Sequence, residues 1–259
     1  MRGTIEQKIE ALISMKKYPH TLQYSGNLAL LEKKKISIVG SRKPSQYTKM
    51  MTHNLSLALL KAGICIVSGG AMGVDAIAHN GAKSSNTIAV LPNGLNHKYP
   101  AINKNLLSSI EEEGLILSQF DDDFKATSWS FVVRNELVVA LGNVLIVSEA
   151  ELGSGSMRSI EFALEMGKKI YVLPHRIGES SATNRLLQDG KAEAIYDIAN
   201  FVTEISGVTY KDKIEDEFIE FCKTSPTYDE AIAKYGEKLF ESELDGVIEI
   251  RQGRVFVAG

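Results

Sequence analysis

Cysteine is scarce in this chain, with two residues in 259, and that scarcity excludes a disulfide-stapled fold. Cys65 sits in an apolar run and Cys222 on an expected helix, so both read as small buried hydrophobes of a reducing compartment, the cytoplasm. The five histidines show no HxxxH or HxxEH spacing, and no metal or other cofactor is expected. No apolar run is long enough to span a bilayer, and the first seventeen residues mix charged and apolar side chains at helical spacing. Neither a membrane span nor a signal peptide is therefore expected. Positive charge is not in excess either: 29 Lys and Arg stand against 32 Asp and Glu, for a net charge of -3. The surface at large cannot attract a polyanion, so any nucleic-acid binding must come from a local pocket of amide donors and a few basic side chains.

What is present is an ordinary globular composition, 44% hydrophobic and 24% charged, long enough for an α/β core and a small second domain. Over residues 31–207, short β-branched runs alternate with longer amphipathic segments. Strands are predicted at 36–39, 64–68, 87–91, 115–118, 144–148, 170–173 and 194–196, with helices at 46–62, 103–113, 131–141, 156–166 and 183–188 between them. Alternation of this kind gives βαβ units, a mainly parallel sheet covered on both faces, and ligand sites beyond the carboxyl ends of the strands. Residues 1–30 read as a short N-terminal extension. In 214–259, three short helices (216–223, 228–235, 239–244) and a hairpin across Gln252-Gly253 read as a winged-helix module. Lys211-Asp212-Lys213 is the expected linker.

The loops at the predicted strand ends hold the unusual residues. The first is Gly40-Ser41-Arg42, where glycine permits close approach to the backbone, the following helix offers free N–H groups, and Arg42 supplies a donor fork. The second is Ser68-Gly69-Gly70-Ala71-Met72-Gly73-Val74-Asp75, three glycines at a strand-to-helix corner, the composition of an anion-binding nest. A dinucleotide fold would instead place GxGxxG after the first strand and an acid after the second, so NAD is disfavoured. The third, running from Glu149 to Ser156, offers Gly155 and Ser156 at a helix start, although Glu149 and Glu151 oppose an anion on the near side. Three such loops on one sheet edge suit a chain of phosphates better than one nucleotide. Lys125, Arg134 and Asn135 flank the single tryptophan, Trp129, which reads either as a base-stacking platform or, with Phe131, as a core anchor. Arg134 in turn reads either as a phosphate ligand or as the partner of Glu149 or Asp75. The candidate phosphate-binding set is thus Gly40, Ser41, Arg42, Ser68, Gly69, Gly70, Ala71, Gly73, Lys125, Arg134, Asn135, Gly155 and Ser156.

Together the blocks Ile36–Ser45, Ser68–Asp75, Arg134-Asn135, Gly153–Ser156 and Thr183–Gly190 resemble the DNA-processing protein A (Smf) family of bacteria. The resemblance implies an extended Rossmann-type fold that binds single-stranded DNA without strong sequence preference. It also implies a homodimer, and loading of the RecA recombinase onto DNA taken up in natural transformation. In that family the loops matching Gly40–Arg42 and Ser68–Ala71 line the phosphate pocket. The chain departs from the family pattern at Glu136, where a second arginine is usual, at Thr48, where glycine is usual, and at Ala182-Thr183-Asn184, where the pattern is Gly-Thr-Asn. A winged helix often follows in similar proteins; here, residues 214–259 carry eleven acidic against five basic side chains, the wrong sign for facing phosphates, which suits a protein-contacting or dimer-supporting role. The rival reading is an enzyme, a nucleotide phosphoribohydrolase of the lysine-decarboxylase-like (LOG) family, whose catalytic Glu would fall at Ser159 or Ile160, with Glu161 out of register. A plain nucleotide sensor is a third reading. No paired carboxylates or nucleophile–base set is recognisable, and a non-catalytic binding protein is expected.

Overall fold

The computed structural model describes residues 1–208, 217–244 and 247–257, and the chain divides into two compact units, Met1–Tyr210 and Lys211–Gly259. The expected linker Lys211-Asp212-Lys213 lies outside the described residues.

In the first unit the strands are β1 (Arg2–Thr4), β2 (Gln23–Gly26), β3 (Lys35–Val39), β4 (Cys65–Ser68), β5 (Thr87–Val90), β6 (Leu115–Ser118), β7 (Val144–Val147), β8 (Ile170–Val172) and β9 (Glu193–Ala194). They form one sheet in the order β1-β2-β6-β5-β4-β3-β7-β8-β9. From β6 to β9 the pairing is parallel. β2 joins β6 antiparallel and β1 joins β2 antiparallel. Residues 1–26 thus contribute two strands at one rim of the sheet that the residue pattern did not reveal, because both are short and mostly polar.

The helices are α1 (Gln46–Lys61), α2 (Val74–Ala82), α3 (Lys104–Glu113), α4 (Ser128–Leu141), α5 (Ser156–Glu165), α6 (Ser181–Gln188) and α7 (Ile198–Ser206). Strand alternation sends successive side chains to opposite faces. Ile36, Ile38, Ile66 and Ile146 pack with Leu55 and Leu59 of α1, Ala78 of α2 and Val202 of α7. Val39, Val67, Val90 and Val147 pack with Leu137 and Leu141 of α4, Ile160 of α5 and Leu186 of α6. β3 is buried at every position, as a central parallel strand must be. α4 starts three residues before the expected position because Thr127 and Ser130 close a capping box, with Thr127 N donating to Ser130 Oγ at 2.9 Å.

The second unit contains α8 (Glu217–Lys223), α9 (Tyr228–Tyr235), α10 (Glu237–Leu244) and the hairpin β10 (Ile248–Arg251)–β11 (Arg254–Val257). Its own small core is Phe218, Cys222, Ala231, Leu239, Ile248 and Val255. Positive φ at Gln252 (51°) and Gly253 (72°) matches the two-residue turn that hairpin twist favours. Thr227 and Glu230 form a second capping box at the start of α9. Among the described residues, no helix is long and apolar enough to cross a membrane.

Candidate functional site

Strand order reverses at β3: the chain proceeds through β4, β5 and β6 on one side of it and β7, β8 and β9 on the other. A crevice opens outside the carboxyl ends of strands at such a point. Here it is a cleft of about 590 Å³ lined by Gly40, Ser41 and Arg42 after β3, Ala71 after β4, Arg134 and Asn135 of α4, and Ser154, Gly155 and Ser156 after β7. Eight of the sequence-predicted residues therefore meet on one cleft. The loops are knitted together: Ser41 N donates to Glu149 O at 2.8 Å, and Val74 N to Ser41 O at 3.0 Å. A Cβ on Gly40 would lie 2.7 Å from Val74 Cγ2, and one on Gly73 would lie 2.3 Å from Ser41 O. These two glycines serve loop-to-loop packing. Gly73 borders a neighbouring groove rather than the cleft.

The β4–α2 corner is already filled by the protein itself. The Asp75 carboxylate accepts from Gly69 N at 3.1 Å and Ala71 N at 3.3 Å, occupying the nest. Arg134, buried in the wall, donates to the carbonyls of Gly69 and Val90, the latter at 3.0 Å. Gly69 has no room for a side chain because a Cβ there would meet the Arg134 guanidinium at 2.0 Å. Asn103 Nδ2 donates to Gly70 O and Ala71 O, each at 3.0 Å, and Ser68 Oγ donates to Ile38 O at 2.6 Å. Arg134 Nη1 makes its hydrogen bonds to the backbone of this corner, while the charge of the side chain also acts on the nearby Asp75 carboxyl and the side chain borders the cleft. Ser68, Gly69 and Gly70 build the wall rather than present free donors. Burial raises the Asp75 carboxyl, opposed by Arg134 and by the loop amides. Burial lowers Arg134 to about 10, opposed by Asp75, which leaves it cationic at neutral pH. Behind them, burial and the Arg134 charge push the His79 imidazole down to about 3.

Two helix starts are plugged in the same way. Glu149 accepts from Ser45 N at 2.9 Å and Thr48 Oγ1 at 2.7 Å at the head of α1. Burial raises its carboxyl, but these hydrogen bonds outweigh it and hold the group below its usual range. Thr48 is thus part of this cap. Glu151 accepts from Ser181 N at 3.1 Å and from Ser181 Oγ at the head of α6, bonds that depress its carboxyl. Glu136 accepts from Lys16 N at 2.9 Å and ties α4 to the N-terminal segment.

The head of α5 is different. Gly155 at its N-cap provides no side-chain cap, its first turn holds no acid, and nothing lies within 4 Å of where a Gly155 Cβ would stand. Ser154 Oγ is buried there without a hydrogen-bond partner. Exposed Arg42 stands opposite, its guanidinium 5.4 Å from the centre of the Phe131 ring, and Tyr99 meets Phe131 edge-on at 5.8 Å. Met157 N and Arg158 N donate to Ser154 O and Gly155 O at 3.1 and 3.3 Å, so the corner offers the Gly155 and Ser156 amides, the positive end of a helix dipole, a guanidinium and an aromatic face. Phe131 is therefore a cleft residue rather than a core anchor. Trp129 is 54% exposed but leans edge-on against Phe120 and Phe124 away from the cleft lining, and exposed Lys125 does not line it either. Tyr99, Ser128 and Arg158 line the cleft and were not singled out from sequence, and Ser154 of the Gly153–Ser156 block lines it as well. Arg158 was legible in principle as the cation one turn into α5. Tyr99 carried no signal, since its loop is remote in the chain from every glycine block. At the register of the rival hydrolase, Ser159 lines the cleft, Ile160 lies in the core, and Glu161 pairs with Arg158 at 2.7 Å. Among the described residues, no group of three His, Cys, Asp or Glu side chains is placed to hold a metal ion.

The family model described as DNA recombination-mediator protein A matches residues 6–206. The chain is 31% identical over 216 residues to the Bacillus subtilis DNA processing protein DprA, covering 77% of this chain and 72% of that protein. It is 32% identical over 209 residues to the Synechocystis protein Smf, covering 78% of this chain but only 52% of that protein. The chain thus spans about half the length of some curated relatives. Among solved structures, Helicobacter pylori DNA processing protein A, described for its single-stranded DNA binding mode, superposes with a TM-score of 0.77 at 40% identity, over 79% of this chain and 95% of that one. Streptococcus pneumoniae DprA superposes with a TM-score of 0.73 at 32% identity, over 79% of this chain and 74% of the other. With its fold, its five motif blocks and most of its first unit accounted for, the chain belongs to the DNA-processing protein A (Smf) family.

Proposed function

We propose that this chain binds single-stranded DNA through backbone phosphates in the cleft at β3 and β7. One observation carries the reading: three anion-accepting corners are filled by Asp75, Glu149 and Glu151, while the head of α5 is left open opposite Arg42. A fold that fills three corners with its own carboxylates and leaves the one facing Arg42 open offers that one to an external anion. Gly40, Ser41, Arg42, Ala71, Asn135, Gly155 and Ser156 face the phosphates, while Ser68, Gly69, Gly70 and Arg134 hold the wall in shape. Amides and a guanidinium read phosphate rather than base edges, so sequence preference is weak. The aromatic floor of Tyr99 and Phe131 favours an unpaired base over a duplex. The single-stranded DNA binding described for the Helicobacter pylori relative supports the same assignment.

The chain acts as a binding protein rather than an enzyme, since the register at which a hydrolase would need its carboxylate holds Ser159. Its role in the cell is to hold incoming single strands during transformation and pass them to the RecA recombinase as a homodimer. The C-terminal unit is a winged helix that contacts protein; its acidic balance supports this. The decisive experiment is fluorescence anisotropy with single- and double-stranded oligonucleotides over a salt series, with AMP and NAD as competitors. Single strands bind best, neither nucleotide competes, and Arg42→Ala lowers the salt slope by about 0.7, one phosphate's worth. Equal affinity for AMP, or an unchanged slope in Arg42→Ala, overturns the assignment.

A further inference from the structure

The cleft does not end at Arg42. Beyond it lies a groove of about 540 Å³ between the heads of α1 and α2 and the turn at 100–103, lined by Arg42, Lys43, Lys49, Met72, Ile77 and Ile102 among others. Three cations contribute to its lining and no carboxylate does. Neither Lys43 nor Lys49 has a carboxylate partner among the described residues. Its floor is apolar and open: Met72 is 40% and Ile102 75% exposed. Groove and cleft adjoin. A narrow slot lies between them, sharing Tyr99 and Phe131 with the cleft and Met72 with the groove, and Arg42 borders all three. The groove also has a fixed wall, because Asn103 is bonded to the carbonyls of Gly70 and Ala71.

We propose that this groove is a second nucleotide subsite, occupied by the continuation of the strand held in the cleft. A strand leaving the cleft past Arg42 lays its next phosphates beside Lys43 and Lys49 and rests a base on Met72 and Ile102. Cations set around an exposed apolar floor match one polymer in particular, a strand whose backbone is anionic and whose bases are unpaired. A duplex keeps its bases inside and gains nothing from Met72 and Ile102. A protein helix seeks an apolar stripe without the row of uncompensated cations. The proposal rests on the cleft reading and extends it from one phosphate site to a track.

The test uses the full chain, unaltered and as the double variant Lys43→Glu/Lys49→Glu, with labelled oligo-dT of about four and about ten nucleotides, lengths that bracket a single and an extended footprint. The unaltered chain binds the short oligonucleotide in the cleft and the long one more tightly. The double variant leaves short-oligonucleotide affinity unchanged, which also shows that it is folded. For the long one it costs about tenfold or more, and lowers the salt slope by about 1.4, two phosphates' worth. A long oligonucleotide bound as well by the variant as by the unaltered chain overturns the groove and leaves it to another occupant, such as a protein. Equal weakening of both lengths also overturns it, because the lysines then act only as a general field. Failure of the unaltered chain to bind the short oligonucleotide instead removes the cleft reading, and the track with it.

Discussion

The corner after β4 and the corner after β7 look alike in composition and do opposite things. Residues 69–73 hold three glycines, and their amides and carbonyls are taken up internally by Asp75, Arg134 and Asn103. Residues 153–156 hold two glycines and two serines, and the helix they open has no cap. In the first corner a missing Cβ makes room for another part of the protein. In the second it leaves room for something from outside. A glycine-rich strand-to-helix turn is therefore not a ligand site until its donors have been counted.

The sharpest way to break the comparison is to attack the filled corner. Arg134→Ala leaves the buried Asp75 carboxylate without its countercharge, and should cost about 3–5 kcal/mol in urea unfolding. A loss below about 1 kcal/mol, no more than an exposed pair is worth, would show the corner to be as loosely built as the other. Gly73→Ala comes next. With φ at 77° and Ser41 O 2.3 Å from the added Cβ, the two loops must part, at about 1–3 kcal/mol.

Acid probes the same corner through His79. Its ring is neutral when folded, with a pKa lowered from 6.5 to about 3 by burial and by Arg134. Below the unfolded value the unfolded chain takes up a proton that the folded chain refuses. Stability due to this group is therefore complete above about pH 6.5 and falls by about 1.4 kcal/mol per pH unit toward the folded value. The acid slope of unfolding should be smaller in His79→Gln; an identical slope would place the proton uptake elsewhere.

The open corner responds in binding rather than stability. Gly155→Asp gives α5 the side-chain cap and the carboxylate that α1 and α6 already have. Because the φ of Gly155 is -59°, the residue is accepted without strain. Its effect on stability is expected to be a few tenths of a kcal/mol in its favour, while oligonucleotide binding falls sharply. Retained binding would mean that the head of α5 is not the phosphate site.

Much of the first unit was legible because its strands are buried on both faces and read as continuous β-branched runs. β3, β4, β5, β6, β7 and β8 lie within a residue or so of expectation. β1 and β2 were not, since strands of three and four residues with polar side chains have no periodicity to detect. The positions of the loops were legible from their glycines, but the division of labour among them was not. Glu149 and Glu151 read from sequence as deterrents to an anion at their own loop. In the fold each reaches across to the head of a different helix and caps it, and the corner between them stays free. Arg134 posed the converse problem: a basic residue at a helix start near glycine loops suggests a phosphate ligand, and only the fold shows it buried and bonded to the carbonyls of Gly69 and Val90 at the edge of the cleft. Tyr99 enters the cleft from a segment whose proximity is a property of the fold alone.

The sheet tapers at both rims. β1 contributes three residues on one side and β9 two on the other, beside β3 at the centre with five. Margins this narrow expose little unpaired backbone to template the addition of a foreign strand, so the sheet of the first unit resists ribbon-like accretion by construction. Two copies of this unit that meet must do so through side chains, on helical faces or loop crests, where single substitutions can tune or abolish the encounter.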